Sequence, residues 1–595
     1  MDHPTHADAP SPARRLVRLL ADDRALVGRV YLYAALAGLL GLSVPLGVQA
    51  IIGLVSGGLL LQPVVVLIGL VVVGTFLAGV LQVVQLGVVE RLQQRVFARH
   101  ALELAQRVPR ADREALGRTD LPELTNRFFE VVTIQKTLAK LLTEAVGALL
   151  AILAGLVLLT FYHPYFSLFG VVLLAVLAAA LWVTGRSGLR SSLAESAAKY
   201  RVAHWLQQVA RHADGFRLAG GSRLPMARMD AEVDDYLAHR QAHFRVLARQ
   251  SMAVVVVKTF VTGGLLVIGA ALVVDRRITL GQFVASELVI VTVLAGVEKL
   301  ILSLSTVYDA LTAVEKVAHL REVPVVAARA PGDAALALPA RPRGVAVEAR
   351  GLTYHYPGQA EPALRDLSLD VAPDARVALV GAEGAGTSTL LRALAGLLPS
   401  YRGALALDGV SARDLDERAL REAVGFVAPS PELFEGTIEE NVAVGRAGVT
   451  AADVAVALYT AGLRDFVRAL PDGLRTRVAG GTLPSHALRK LALARAIVGR
   501  PRLLLLDEFF HHLDADYKRG LLSRILDRRA GWTVIAASHD PAYLAACDRV
   551  LLVEAGRVVA DGTYDLLRGE LSARGLLRAH PAAPAGASIV MGPRA

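Results

Sequence analysis

Six stretches of predominantly apolar residues crowd into the first 304 positions: about Val30–Leu54, Val64–Leu86, Ala145–Tyr162, Phe166–Val183, Met252–Val274 and Phe283–Leu304. Each is close to the ~20 residues that a helix needs to cross the hydrocarbon of a bilayer. A chain of 595 residues that is 54% apolar, with a mean hydropathy of +0.46, is too apolar to be an ordinary soluble protein of this size. The expectation is a helical membrane domain over residues 27–320. Residues 1–26 are polar, with proline and arginine, and no apolar run precedes Val27. A cytoplasmic tail is expected there, with no cleavable signal peptide and no N-terminal accessory domain.

Orientation follows from charge. The turns Ser56–Pro63 and His163-Pro164 lack charge, whereas segments 87–144 and 184–251 are rich in arginine, which places the long segments in the cytoplasm. Only Arg276-Arg277, in the last outer turn, runs against this rule. The formal charge of +10 is spread along the chain, as basic cytoplasmic loops require, so no nucleic-acid partner is expected. Both long segments keep helical apolar spacing and read as continuations of the membrane helices, with breaks near Asp120-Leu121-Pro122 and near Gly215-Phe216 and Gly220-Gly221. Charged residues within or beside the spans are Lys258, Glu287, Glu298 and Lys299. Lys258 and Glu298 lie roughly 25 Å from the outer turn on consecutive spans, so either they pair or each sits at the inner interface. Glu287, nearer the outside, is the candidate for lining a polar cavity.

A linker rich in proline, alanine and arginine (321–344) leads into short alternating strands and helices over 345–572, the pattern of an α/β domain, followed by a flexible tail at 573–595. Within it, the apolar run Val377–Val380 is followed by Gly381-Ala382-Glu383-Gly384-Ala385-Gly386-Thr387-Ser388-Thr389 and a helical Leu390-Leu391-Arg392. Glycines at these spacings let backbone N–H groups turn inward around phosphate oxygens, and the next helix N-terminus adds positive potential. This is a P-loop with Thr387 where the motif demands lysine. Leu503-Leu504-Leu505-Leu506-Asp507-Glu508 reads as a buried parallel strand with carboxylates at its carboxyl end. Asp507 is expected to hold Mg²⁺ with Ser388, and Glu508 to position or deprotonate a water. A strand over Thr533–Ala537 delivers His539 toward a terminal phosphate. The lone cysteine, Cys547, rules out an intramolecular disulfide.

These features resemble an ABC exporter half-transporter, a six-span helical membrane domain fused to an α/β P-loop nucleotide-binding domain, and the resemblance covers nearly the whole chain. It rests on Tyr356 in Tyr-His-Tyr-Pro, the P-loop, Leu-Phe-Glu-Gly-Thr-Ile-Glu-Glu-Asn at 433–441, Leu-Pro-Asp-Gly-Leu at 470–474, Leu-Ala-Leu-Ala-Arg-Ala at 491–496, the carboxylate strand and His539. It implies ATP and Mg²⁺ as cofactors, Tyr356 as the adenine-stacking ring, and Glu508 and His539 as catalytic groups. The breaks near Asp120 and Phe216 are implied to be coupling helices. Location in the inner (plasma) membrane with both termini cytoplasmic follows, as does export of a solute such as a peptide, a lipid or a drug-like molecule.

The departures are equally specific. Leu483-Pro484-Ser485-His486-Ala487 replaces the family signature Leu-Ser-Gly-Gly-Gln, and Pro429 stands where the family has its Q-loop glutamine. Phe509-Phe510-His511-His512-Leu513-Asp514 replaces Pro-Thr-Ser-Ala-Leu-Asp; adjacent histidines diverge, and no third ligand accompanies His511 and His512 for a metal. In the family the signature serves the nucleotide held by the opposite subunit, so a homodimer would carry each defect twice. The expectation is the degenerate half of a heterodimer with impaired hydrolysis of its own. The alternative is a non-catalytic nucleotide-binding subunit of a membrane complex.

Overall fold

The computed structural model describes residues 11–56, 61–112, 114, 125–325, 336–339, 343–479, 483–511, 513 and 515–577. It forms two compact units, one ending at Val326 and the other starting at Ala327. The expected break at Asp120-Leu121-Pro122 lies outside the described residues, as do parts of the expected linker and C-terminal tail.

The first unit is helical. α1 (Pro12–Ala21) turns Leu16, Leu19 and Leu20 toward the core and leaves Arg14, Val17 and Arg18 exposed. α2 (Arg24–Gly41) and α3 (Ser43–Ser56) divide the first expected span at Leu42. Pro45 explains the division, because it has no N–H for the carbonyl of Gly41 and its ring crowds that oxygen. α4 (Leu61–Arg107) is followed by α5 (Glu130–Lys140), which passes through a π-helical turn at Leu141–Ala145 into α6 (Val146–Tyr162). Such a turn shifts the hydrogen-bond ladder. Here the buried Gln85 amide donates to the Leu142 carbonyl at 3.3 Å. α7 (Pro164–Arg211), α8 (Ala213–Leu218), α9 (Leu224–Val274) and α10 (Leu280–Arg321) complete the unit. The break expected near Phe216 is α8 followed by Gly220 and Gly221, both at positive φ.

Among the described residues, five helical runs are long and apolar enough to cross a membrane: Arg24–Ser56, Gln62–Arg110, Arg127–Tyr162, Leu224–Val274 and Leu280–Arg321. The remaining expected span, Phe166–Val183, falls within α7. Side chains such as Val66, Leu70 and Phe76 on α4 are 74%, 67% and 69% exposed, which suits lipid and not water. This is a multi-pass membrane protein. The 51 residues of α9 run for ~76 Å, far more than the ~30 Å of hydrocarbon, so a large part of the helix extends beyond the bilayer. Lys258 on α9 and Glu298 on α10 meet at 3.0 Å. Of the two readings open from the sequence, pairing is the one observed.

Close helix packing relies on missing side chains. A Cβ on Gly155 of α6 would lie 2.6 Å from Val293, and one on Gly296 of α10 would lie 2.9 Å from Ile152 and 3.2 Å from the Ala148 carbonyl. The two glycines thus receive each other's helix, the small-residue contact that membrane helices use in place of a hydrophobic drive.

The second unit holds a four-stranded antiparallel sheet, ordered β2 (Leu364–Val371), β1 (Val347–Tyr354), β4 (Arg402–Leu407), β5 (Val410–Ser411). Beside it, a six-stranded sheet is ordered β12 (Arg557–Gly562), β11 (Arg549–Glu554), β3 (Arg376–Val380), β10 (Thr533–Ala537), β9 (Leu503–Asp507), β6 (Val424–Val427). β7 (Gly436–Thr437) and β8 (Arg477–Val478) pair separately. β3, β9 and β10 are buried at every position, which is why they read as unbroken apolar runs and not as alternation. The polar residues Arg376, Asp507 and Thr533 stand at the strand ends; Arg376 is 2% exposed, and its guanidinium donates to the carbonyls of Asp374, Leu526, Asp527 and Trp532, anchoring the start of the P-loop strand. Burial pushes the Cys547 thiol up to about 12, so it keeps its proton and acts as core filling.

Gly296→Val is expected to cost about 1–3 kcal/mol by overpacking the α6–α10 contact. The checks are melting temperature and monodispersity of the purified chain in detergent. Ile152→Ala, added to that variant, should recover part of the loss.

Candidate functional site

Strand order builds the site. β11, β3, β10, β9 and β6 are parallel, so their carboxyl ends share one edge of the sheet. That edge carries the P-loop after β3, Ser538-His539 after β10, Asp507-Glu508 at the end of β9, and Ala428-Pro429 after β6. A ligand in an open parallel sheet binds at such an edge.

The P-loop backbone has the shape its glycines require. Gly384 and Gly386 adopt φ of 81° and 101°, which side chains rarely tolerate. A Cβ on Gly386 would lie 2.5 Å from the Ala363 carbonyl, and one on Gly381 would lie 2.6 Å from the Val553 carbonyl. Nothing lies within 4 Å of a Cβ built on Gly384. Ala382, Glu383 and Gly384 are exposed, and Ala385 is buried. The following helix, Thr387–Leu394, begins directly at this turn with no side chain capping its N–H groups, as an anion cradle needs. Tyr356 lies beside it: its hydroxyl is 3.2 Å from the Thr389 hydroxyl, and its ring meets Tyr354 edge-on at 5.0 Å.

Ser388 donates to Asp507 Oδ1 at 2.8 Å, joining the P-loop helix to β9. Asp507 is fully buried, and its Oδ2 has no hydrogen-bond partner among the described residues. Burial raises its carboxyl above the ordinary 3.8, opposed by the Ser388 hydrogen bond and the positive charge of Arg392. A raised folded-state value means that the stability tied to this group is fully present below pH 3.8 and is lost as pH rises through the folded value. Above that folded value the ionised carboxylate is a buried charge with one oxygen that finds no hydrogen bond among the described residues. Asp507 Oδ2 and the Ser388 hydroxyl are hard oxygen donors, a set that suits Mg²⁺ completed by phosphate and water.

Arg392 adds a positive charge near Asp507 that motif reading passes over. It stands one helical turn after Ser388 on the same face, and helix side chains lean toward the N-terminus. The spacing was legible in the sequence; the direction of its charge, toward Asp507, required the fold. Glu508 is exposed and held at φ 47°, with its backbone N–H donating to the Ala537 carbonyl at 3.0 Å. His539 has Nδ1 3.0 Å from the Leu576 carbonyl. A carbonyl only accepts, so Nδ1 carries the proton, and the ring needs a second proton on Nε2 to donate to a phosphate.

The altered motifs are placed as follows. Pro429 lies half-buried in the bend after β6. The signature segment has Leu483 half-buried, Pro484 capping the helix Ser485–Ile497 without a side-chain hydrogen bond, Ser485 and His486 exposed, and Ala487 buried. Phe509 and Phe510 are core residues, Phe510 stacking on Tyr543 at 4.5 Å. His511 accepts from Arg489 through its carbonyl, while His512 and Asp514 lie outside the described residues.

Residues 30–296 match the family described as ABC transporter transmembrane region, and residues 364–511 match that described as ABC transporter. The chain is 32% identical over 311 residues to the type I secretion system ATP-binding protein PrsD of Rhizobium meliloti, covering 52% of each chain. It is 28% identical over 437 residues to an ATP-dependent lipid A-core flippase of Xanthomonas oryzae, covering 72% of each. It is 30% identical over 349 residues to the cyclolysin secretion/processing ATP-binding protein CyaB of Bordetella pertussis, covering 58% of this chain and 48% of that one. The chain thus spans about half the length of the two secretion proteins it matches. The fold matches the structure of a bacterial Atm1-family ABC exporter with ATP bound, with a TM-score of 0.82 at 24% identity, covering 94% of this chain and 99% of that one.

Asp507→Asn, which keeps an acceptor for Ser388 and removes the buried charge, should raise the melting temperature of the metal-free chain by about 2–4 °C, the response to ~1 kcal/mol in a domain of this size. The same variant should lose the extra stabilisation that Mg²⁺ adds to nucleotide. Melting curves with EDTA, ATP and Mg-ATP check both.

Proposed function

The chain belongs to the ABC transporters, with the membrane region and the nucleotide-binding domain fused in one polypeptide, and on that premise we propose that it is the degenerate half of a heterodimeric exporter. It sits in the inner (plasma) membrane with the nucleotide-binding domain and both termini cytoplasmic. ATP binding at the P-loop is coupled to outward movement of a solute. The relatives are a lipid A-core flippase and secretion ATP-binding proteins, which supports an amphiphilic lipid or a peptide as the cargo.

The observation that carries this reading is the combination at one sheet edge of an intact glycine cradle with Thr387 in place of lysine. The cradle is made by backbone, and it supplies N–H groups to phosphate oxygens whatever side chain follows. Tyr356 stacks the base. Ser388 and Asp507 hold Mg²⁺, which when bound offsets charge on the phosphates. Glu508 orients and deprotonates the attacking water, and His539 contacts the terminal phosphate. Thr387 contributes no positive charge, and Arg392 is the cation best placed to make up part of that loss. Losing one preorganised donor costs about 10²–10³ in rate. This chain lacks the lysine, the Q-loop glutamine and the signature donors together, so its own hydrolysis is slow. The partner supplies an intact signature. A second reading, a non-catalytic nucleotide-binding subunit, is favoured by Pro484, which removes a hydroxyl and an N–H from the signature position, and by His486, which puts an imidazole where glycine allows close backbone approach.

Thr387→Lys separates the readings. In complex with a partner carrying an intact signature, the variant should bind ATP more tightly and hydrolyse it faster. In the isolated chain it should improve binding alone. Equal turnover with and without the partner would refute composite sites, and no gain in either quantity in the complex would favour the non-catalytic subunit.

A further inference from the structure

α1 does not lie flat on its neighbours. Between it and the ends of α4 and α10 is a cavity of about 250 Å³. Its charged lining is Arg15, Arg18, Arg99 and Arg321 against Asp22 and Glu322, an excess of positive charge. Three of the arginines are already committed: Arg15 to Glu322 at 2.7 Å, Arg99 to Asp22 and Asp23 at 2.9 Å each, and Arg321 to Glu103 at 2.8 Å. Arg18 has no ion-pair or hydrogen-bond partner among the described residues, and it is exposed at the cavity. The apolar part of the lining includes Leu19, Ile134 and Val317. His100 also lines the cavity; its Nδ1 lies 2.7 Å from the Val96 carbonyl and donates to it, which leaves Nε2 as an acceptor.

We propose that this cavity binds a phosphate-bearing anion, with the Arg18 guanidinium as its principal ligand. A planar guanidinium meets two phosphate oxygens at once, and the ion pairs of Arg15 and Arg99 hold the surrounding wall in place. The volume is below the range of about 300–1,000 Å³ for small-molecule pockets, so it fits a head group better than a nucleotide. The apolar wall beside the arginines fits a glycerol backbone, and the His100 acceptor fits a head-group hydroxyl. Location points the same way. α1 leads through Asp22 and Asp23 into the first membrane-crossing run, Arg24–Ser56, and Arg14, Arg24 and Arg29 beside it are exposed and unpaired among the described residues. Basic residues at the foot of a span are drawn to the anionic inner leaflet. All of the lining residues belong to the first unit.

The test uses the full chain in detergent, titrated calorimetrically with dihexanoyl phosphatidylglycerol, dihexanoyl phosphatidylcholine and inorganic phosphate. Phosphatidylglycerol should bind saturably and more tightly than phosphatidylcholine, and Arg18→Gln should weaken it by about tenfold, the effect of one charge-assisted hydrogen bond. Arg18→Lys should keep part of the affinity, and Arg14→Gln, outside the cavity, should change it by less than about twofold. Failure of inorganic phosphate to compete identifies a lipid head group as the ligand, whereas competition identifies a free anion; either supports the phosphate site. Equal affinity for the two lipids, or an unchanged affinity in a folded Arg18→Gln protein, would overturn it.

Discussion

The nucleotide-binding domain is organised around one buried carboxylate that the protein satisfies only by half. Asp507 ends a strand with no exposed position, and among the described residues its side chain has a single hydrogen bond, from Ser388. Burying a charge is costly unless it is paired. The domain holds it because the parallel order of β3, β10 and β9 brings the P-loop helix to the same edge. The cost is retained where a cation and a phosphate would remove it. That is the usual trade between stability and a site made ready for a ligand.

The motif losses differ in physical kind, and this explains how a domain can keep its fold while its chemistry changes. Thr387 and Pro429 are half-buried changes at the sheet edge that carries the P-loop. The cradle depends on backbone conformation, fixed by Gly381 and Gly386 against the carbonyls of Val553 and Ala363. Replacing either glycine would force backbone to move. Phe509 and Phe510 show the opposite case, where a changed motif has been absorbed into the core through Tyr543.

Much of this was legible in the sequence because the signals were local. Apolar runs of span length, glycine spacing in the P-loop and the all-buried strands each report their own structure. What escaped was relational. The ion pair of Lys258 with Glu298 needed the rotation of α9 against α10, since equal depth leaves the facing sides open. The division of the first span at Leu42 was signalled by Pro45 but masked by the unbroken apolar composition around it. The π turn at Leu141–Ala145 has no breaker residue in it, and only the amide of Gln85 on another helix marks it. Arg392 lay in plain view at helical spacing, yet its relevance depends on where β9 ends.

The account turns on a separation between holding nucleotide and breaking it. On the proposed reading, the backbone cradle, Ser388 and Asp507 as metal donors and Tyr356 as the base-stacking ring hold nucleotide, while Thr387, Pro429 and the altered signature slow its hydrolysis. Equilibrium Mg-ATP binding and steady-state hydrolysis, measured on the same preparation of the full chain without a partner, test this most directly. The account predicts saturable binding that is lost on Gly386→Val, with hydrolysis at the background seen in Glu508→Gln. Turnover of several per second that Glu508→Gln abolishes, or no binding at all in the unaltered chain, would contradict it.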